Sequence, residues 1–475
     1  MAELDLIVKN ARIATASESF DGDIGIKDGR IVLLGQLDFP AARVIDAGGR
    51  LVTPGGVDAH CHLDQPSTDG SVSADDFHSG SISAAFGGTT TIIPFALQMK
   101  GSGVRAAVED YHGRAAGKAV VDYAFHLIIS DPTPAVLRDE LPALIGEGYS
   151  HFKIYMTYAD MKLSDRQILD VLALARREGA LPMIHAENDD CIAWLTDLLE
   201  EAGKTAPKFH ADSRPQIVER EAAHRAISLA ELVGVPMLIV HVSSNAAMTQ
   251  IQTAQNRGIN IYAETCPQYL FLTADDLAKP GFEGAKCVCS PPPRSVEEQG
   301  HIWRGLKTGV FQVFSSDHSP FRYDDPRGKK NAGENAPFRL VPNGVPGLET
   351  RLSLLMSEGV MTGRIDIHRF VELTSTNPAK LYGLFPRKGT IAPGADADLV
   401  IWNTERSFTL GNDMLHHNVD YTPYEGMQLN AWPELVMSRG EVIIENGQCH
   451  GTPGRGEFLP SSRFHITESR KGETL

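Results

Sequence analysis

Residues 55–64 read GGVDAHCHLD, an apolar run that closes on His60-Cys61-His62 and then turns polar. Side chains alternate faces along an extended strand, so His60 and His62 share one face and Cys61 takes the other. Seven runs downstream repeat the format of a β-rich segment, a polar or Gly/Pro loop and a helix-like stretch. They are TTTIIPFAL from Thr89, VDYAFHLII from Val121, HFKIYM from His151, LPMIHAE from Leu181, PMLIVHV from Pro236, INIYAE from Ile259 and FQVFSSD from Phe311. Segments between them, such as SDRQILDVLALARREG from Ser164, carry apolar residues at helical spacing and end at a glycine. Strands alternating with helices predict parallel βα units, and eight such units predict an α/β fold closed as a (β/α)8 TIM barrel. The competing reading is an open doubly wound sheet. No G-x-G-x-x-G follows the first strand, which removes its best support.

The two ends read differently. Residues 3–35 alternate apolar and polar and contain Asp21-Gly22 and Asp28-Gly29, an antiparallel pattern with two expected turns. The texture returns in GTIAPGADADLVIW from Gly389 and ELVMSRGEVIIENG from Glu434. Because chain ends often lie close together, the two segments are expected to pair. The expected organisation is a small β-sandwich-like domain from 1–53 and 388–460, a barrel over 54–387, and a polar tail over 461–475 that is either mobile or an oligomer arm.

Composition narrows the class. The chain has 475 residues, 42% hydrophobic and 22% charged, which is ordinary for a globular protein. Its net charge of −16 gives no electrostatic footprint for nucleic acid or an anionic membrane. No run approaches the roughly 18 apolar residues of a spanning helix. The opening MAELDLIVKN lacks a basic then apolar leader, and six cysteines are too few for a disulfide framework. A cytoplasmic protein is expected.

The chemistry is in the strand ends. His185 closes LPMIHAE, His241 closes PMLIVHV and Asp317 closes FQVFSSD, each a polar residue at the C-terminal end of an apolar run, where barrel enzymes place catalytic groups. Any one of these histidines alone reads more plainly as a core residue satisfied by a hydrogen bond. Together with His60 and His62 they form an imidazole and carboxylate set suited to Zn²⁺, with Mn²⁺, Co²⁺ or Fe²⁺ as alternatives. Lys153, in the middle of HFKIYM, is costly to bury as an ammonium and must be paired, neutralised or modified. A carbamate on its amine, a Schiff-base role and an ion pair all stay open.

These residues amount to a pattern. VDAHCHLD, HFKIYMTY, MIHAEN, IVHVSS, AETCPQYL, VCSPPPR, SSDHSPF, PNGVPGLE and NVDYTPYEG make the chain resemble the cyclic amidohydrolases of the dihydropyrimidinase and D-hydantoinase family, over almost its whole length. The resemblance implies two divalent metal ions, zinc first among them: His60, His62 and Asp317 on one, His185 and His241 on the other, with N6-carboxylated Lys153 bridging. It also implies that Tyr158 polarises the scissile carbonyl, that Asp317 shuttles the proton, and that main-chain groups of Ser290 and Asn343 dock the ring. Cys287 and Cys289 are read as structural. The implied reaction is opening of a dihydropyrimidine, hydantoin or related cyclic imide to an N-carbamoyl or half-amide acid, by a homotetramer.

The chain departs from the pattern in places. Gln65 and Ser67 stand where relatives usually present apolar residues, and Tyr155 where Phe is frequent. The expected pocket for the ring substituent is therefore more polar or roomier, unless this loop folds away from the ring. Allantoinase and imidase are neighbouring readings. Dihydroorotase fits less well, because Leu63, Asp64 and Gln65 replace the arginine that usually follows its His-x-His. A metal-free scaffold relative is the reading from another class, and the six filled ligand positions argue against it.

Overall fold

The structure is a computed structural model that describes residues 4–67 and 69–464. Eight parallel strands follow one another around the barrel in chain order: β1 (Gly56–Cys61), β2 (Thr89–Leu97), β3 (His126–Ile128), β4 (His151–Tyr155), β5 (Leu181–His185), β6 (Met237–Ile239), β7 (Ile261–Thr265) and β8 (Val313–Phe314). Closure between the last strand and the first is made just past β8, where Cys61 bridges His318 and the His62 amide donates to the His318 carbonyl (2.7 Å). Asp58 reinforces the seam. Its Oδ1 accepts from the amides of His60 and Ser316, both at 3.2 Å, and Arg351 lies 3.5 Å from its Oδ2.

The strands are buried on both faces, as a barrel wall requires, apart from the half-buried Tyr262. Val57, Ala59, Ile93, Phe95, Ile128, Met183, Leu238 and Val313 fill the interior, and Leu381, Tyr382, Leu384 and Leu459 join them in the same apolar cluster. Cys61 turns to the other side, among residues packed between strands and helices. The helix after β4, Asp165–Glu178, shows how the sequence writes its own ends. Ser164 caps it by accepting from the Gln167 amide, Ile168, Val171, Leu172 and Ala175 face the barrel, and Gly179 stops it at φ 72°.

Two expectations about strands are corrected. VDYAFHLII is not one strand: Asp122–Tyr123 and His126–Ile128 each pair separately with β2. His241 and Asp317 do not close strands but lie two and three residues beyond them, with left-handed backbone at φ 39° and 47°.

The chain ends build one nine-stranded sheet in which Leu4–Ala14, Ser19–Lys27, Arg30–Gly35, Ala41–Asp46 and Leu51–Pro54 join Leu399–Asn403, Trp432–Ser438, Glu441–Glu445 and Gln448–Cys449. Its core mixes both ends, Ile13, Ile24 and Val52 with Leu399, Ile401 and Met437. The expected antiparallel pairings are present, but Leu4–Ala14 also pairs in parallel with Ala41–Asp46 and with Leu51–Pro54. Asp28-Gly29 makes a hairpin turn, both residues at positive φ. Asp21-Gly22 does not; it lies inside a strand, opposite Arg12 and Ala11 and next to a bulge.

Two polar clusters bind the late chain to the barrel. Lys388 Nζ, buried, reaches Asp122 (2.6 Å), Asp398 (2.8 Å) and Asp396 (3.0 Å). Beside the barrel interior, His126 Nε2–H donates to the Ala59 carbonyl (2.9 Å), His151 Nδ1–H to His126 Nδ1 (2.8 Å), and Ser461 Oγ–H to His151 Nε2 (2.9 Å). The direction is forced, because the carbonyl only accepts and burial keeps both rings neutral, His151 down to about 3. Of the expected tail, Ser461, Ser462 and Phe464 are held by main-chain bonds to Gly148, Gly383 and Gly179, and residues 465–475 lie outside the described residues. Among the described residues no helix is long and apolar enough to cross a membrane.

Candidate metal centre and active site

A cavity of about 780 Å³ opens where the strands end, and every site residue expected from the sequence lines it except His60, which lies fully buried beside it. The donors converge. Asp317 Oδ1 stands 3.1 Å from His60 Nε2 and 3.5 Å from His62 Nε2, and His185 Nδ1 stands 2.9 Å from His241 Nε2. Donor atoms of His60, His241 and Asp317 all lie within 4.8 Å of one another. Two ligands on a tetrahedral cation with bonds of about 2.0–2.1 Å stand roughly 3.4 Å apart, so these separations fit a metal cluster. The two groups expected to hold separate ions form one continuous patch.

Outer partners fix which nitrogen faces inward. His60 Nδ1–H donates to Glu264 Oε1 (2.6 Å), His62 Nδ1–H to Gln65 Oε1 (2.6 Å), and His185 Nε2–H to Glu187 Oε2 (2.8 Å). Each leaves the other nitrogen with its lone pair toward the centre, as ligation needs. Burial lowers the pKa of His62, His185 and His241, which favours the neutral, ligating form. Burial works against the Asp317 carboxylate, yet His60 and His62 hold its pKa well below the ordinary value. Among the described residues His241 Nδ1 is buried without a hydrogen-bond partner.

Lys153 is enclosed. Its Nζ lies 2.9 Å from His60 Nε2, 4.6 Å from the Phe95 ring centre and 5.0 Å from that of Tyr155, and burial brings its pKa down to about 8. Among the described residues no carboxylate stands within ion-pair distance, so the ion-pair reading loses its support, while neutralisation and modification remain. Tyr158 sits half-buried on the wall with left-handed backbone at φ 67°, its amide donating to Asp189 Oδ1 (3.1 Å), and burial pushes its phenol up to about 12. Tyr158, His241 and Asp317 thus share a backbone region that non-glycine residues seldom enter, a form of strain that gathers at functional sites.

Glu187, Glu264, Arg214 and Phe95 were not singled out in the sequence. Glu187 Oε2 takes His185, Arg214 Nη1 (3.0 Å) and Ser290 Oγ (2.6 Å) together, and burial, which opposes its charge, is outweighed by Arg214 and His185. Phe95 packs its ring 4.9 Å from those of His60 and His62. Two of these had a signal: Glu264 ends INIYAE as His185 ends its own run, and Glu187 follows His185 by two. Gln65 and Ser67 do line the cavity, so their loop does not fold away, but Gln65 also orients His62. Cys287 and Cys289 are buried, Cys289 on the cavity lining, and burial raises both thiols, Cys287 to about 11.

Comparison with known proteins agrees with this geometry. The model of the amidohydrolase family matches residues 51–443. The chain is 46% identical to the D-hydantoinase of Geobacillus stearothermophilus, covering 96% of this chain and 97% of that one. It is 44% identical to the D-hydantoinase of Rhizobium radiobacter, over 97% of this chain and all of the other. The crystal structure of dihydropyrimidinase from Brevibacillus agri superimposes with a TM-score of 0.94 at 42% identity, covering 97% and 99% of the two chains. A barrel with histidines and an aspartate gathered at its strand ends, and relatives of this kind along its whole length, lead to one conclusion: the chain belongs to the amidohydrolase family, within its D-hydantoinase and dihydropyrimidinase branch.

Proposed function

We propose that this enzyme opens a hydantoin or 5,6-dihydropyrimidine ring by hydrolysis, releasing the N-carbamoyl amino acid. The observation that carries the reading is the convergence of His60, His62, His185, His241 and Asp317 around Lys153, with Tyr158 on the wall of the same cavity. His60, His62 and Asp317 would hold one divalent ion and His185 and His241 a second, with Lys153 carboxylated on Nζ as the bridging ligand. Two such ions, zinc first by ligand type, would supply Lewis acidity and an acidified water.

The chain's own groups do the rest. Asp317, an ionised carboxylate at the cavity floor, accepts the proton of the attacking water and hands it to the leaving ring nitrogen. Tyr158 keeps its proton at neutral pH and donates to the carbonyl oxygen as negative charge develops there. Main-chain groups of Ser290 and Asn343 hold the ring amide, and Glu187 ties Ser290 to His185. The wall near the ring substituent carries Gln65, Ser67, Ser71 and Ser73, which favours small or polar substituents and keeps imidase and allantoinase chemistry as the second reading. We place the enzyme in the cytoplasm as a homotetramer, with 1–53 and 388–460 as one folding unit and 54–387 as the other. Trp194, 64% exposed, and Leu198 lie one turn apart on the helix Asp189–Glu201, an apolar face suited to a subunit contact.

Metal analysis together with kcat/KM for dihydrouracil, phenylhydantoin and succinimide tests the reading. Two ions per chain and turnover of at least one ring are expected. Protein purified without stoichiometric metal points to the scaffold reading, and a strong preference for phenylhydantoin overturns the polar wall.

A further inference from the structure

Lys329 lies between Asp317 and Asn343 in the chain, has no exposed surface and does not line the cavity. Its Nζ donates to three main-chain carbonyls, those of Val288 (2.8 Å), Pro342 (2.7 Å) and Gly344 (2.6 Å). An ammonium has three N–H bonds and here each finds an oxygen, whereas a neutral amine would turn its lone pair toward one of them. Among the described residues no carboxylate stands within ion-pair distance, and burial pulls its pKa down to about 7. A buried amine nitrogen that serves three main-chain carbonyls satisfies something an apolar side chain cannot.

The three carbonyls identify what that is. Val288 precedes Ser290 by two residues, and Pro342 and Gly344 flank Asn343. The Gly344 amide donates to the Val288 carbonyl (3.0 Å), a direct main-chain bond between the two segments. Gly344 itself sits at φ 149° against Ser319, where an added Cβ would lie 2.5 Å from the Ser319 side chain and carbonyl, so this stretch has no slack of its own. Without Lys329, the Pro342 and Gly344 carbonyls would lose this donor and the Val288 carbonyl would keep only the Gly344 amide.

We propose that Lys329 is a positioning residue that sets the spacing between the main-chain groups of Ser290 and Asn343, and through it how tightly the substrate ring is held. This rests on the reading of those two residues as the ring dock. The test compares metal-loaded wild type with Lys329→Met, which fills the space without donors, and Lys329→Gln, which keeps two N–H donors without charge. It measures kcat and KM for hydantoin, metal content, and hydrogen exchange at the Gly344 amide. Lys329→Met is expected to raise KM about tenfold with a smaller change in kcat, to leave two ions bound and to speed Gly344 exchange, with Lys329→Gln in between. Unchanged Gly344 exchange in both variants overturns the clamp. Faster exchange with an unchanged KM overturns the dock instead, since a loosened dock must weaken the ring. Should Lys329→Met not fold, Lys329→Gln alone gives the same comparison.

Discussion

Glu264 has no exposed surface, and its Oε1 accepts from both the His60 ring (2.6 Å) and the His241 amide (3.2 Å), so one oxygen orients ligands expected on different ions. Glu264→Gln keeps an acceptor and loses the charge. Metal affinity is expected to fall about 10- to 100-fold, read by titration against a competing chelator. Asp317→Asn removes the proposed proton carrier and is expected to cut kcat by about 10²- to 10⁴-fold in metal-loaded protein, and Lys153→Ala to abolish turnover. Rates near wild type for both variants refute the assignment. The ligand-type histidines and Asp317 were legible because each lies at the end of an apolar run, and Lys153 because it interrupts one; a polar residue in either place has little reason to exist in a core. Their outer partners were less so: Arg214 comes from a helix turn far from any strand, and Phe95 looks like any other core aromatic until the fold places it against two imidazoles.

Among elements, the helix Asp165–Glu178 was readable from its cap, its apolar spacing and its terminal glycine, all local signals. Ser164→Ala removes the acceptor for the Gln167 amide and is expected to cost about 1 kcal/mol, seen as a lower Tm in calorimetry. The split of VDYAFHLII was not readable, because its apolar content is continuous and only pairing with Thr89–Leu97 decides where strand begins and ends. Asp21-Gly22 misled for a related reason. The dipeptide favours a turn, but the pairing of Ser19–Lys27 with two neighbours outweighs a local preference worth a fraction of that contact. The parallel pairings of Leu4–Ala14 are set by long connections, which leave no mark in alternation.

For the whole molecule, the Lys388 cluster is a buried charged tie between barrel and end sheet. Lys388→Met would leave Asp122, Asp396 and Asp398 without their shared cation, an expected loss of about 3–5 kcal/mol in denaturant unfolding. Burial disfavours the ammonium, but Asp398, Asp122 and Asp396 raise its pKa above the ordinary lysine value. Its contribution is therefore complete below about pH 10.4 and lost as pH climbs beyond it, a loss in alkali that Lys388→Met should not show. Chelation should abolish turnover and lower Tm, both restored by zinc, since an ion held only by the folded state stabilises it.

Lys388 ties the barrel to the end sheet where the Asp122–Tyr123 strand lies, while the cavity opens past the strand ends where His185, His241 and Asp317 lie. His126 lies between the two, its ring 4.9 Å from that of Phe95, and Gln65 serves both the cavity wall and His62, whereas Ser67, Ser71 and Ser73 line the cavity without holding a ligand-type residue. On the proposed reading, exchanges at Ser67, Ser71 or Ser73 would change which ring is taken while the Lys388 tie stays as it is.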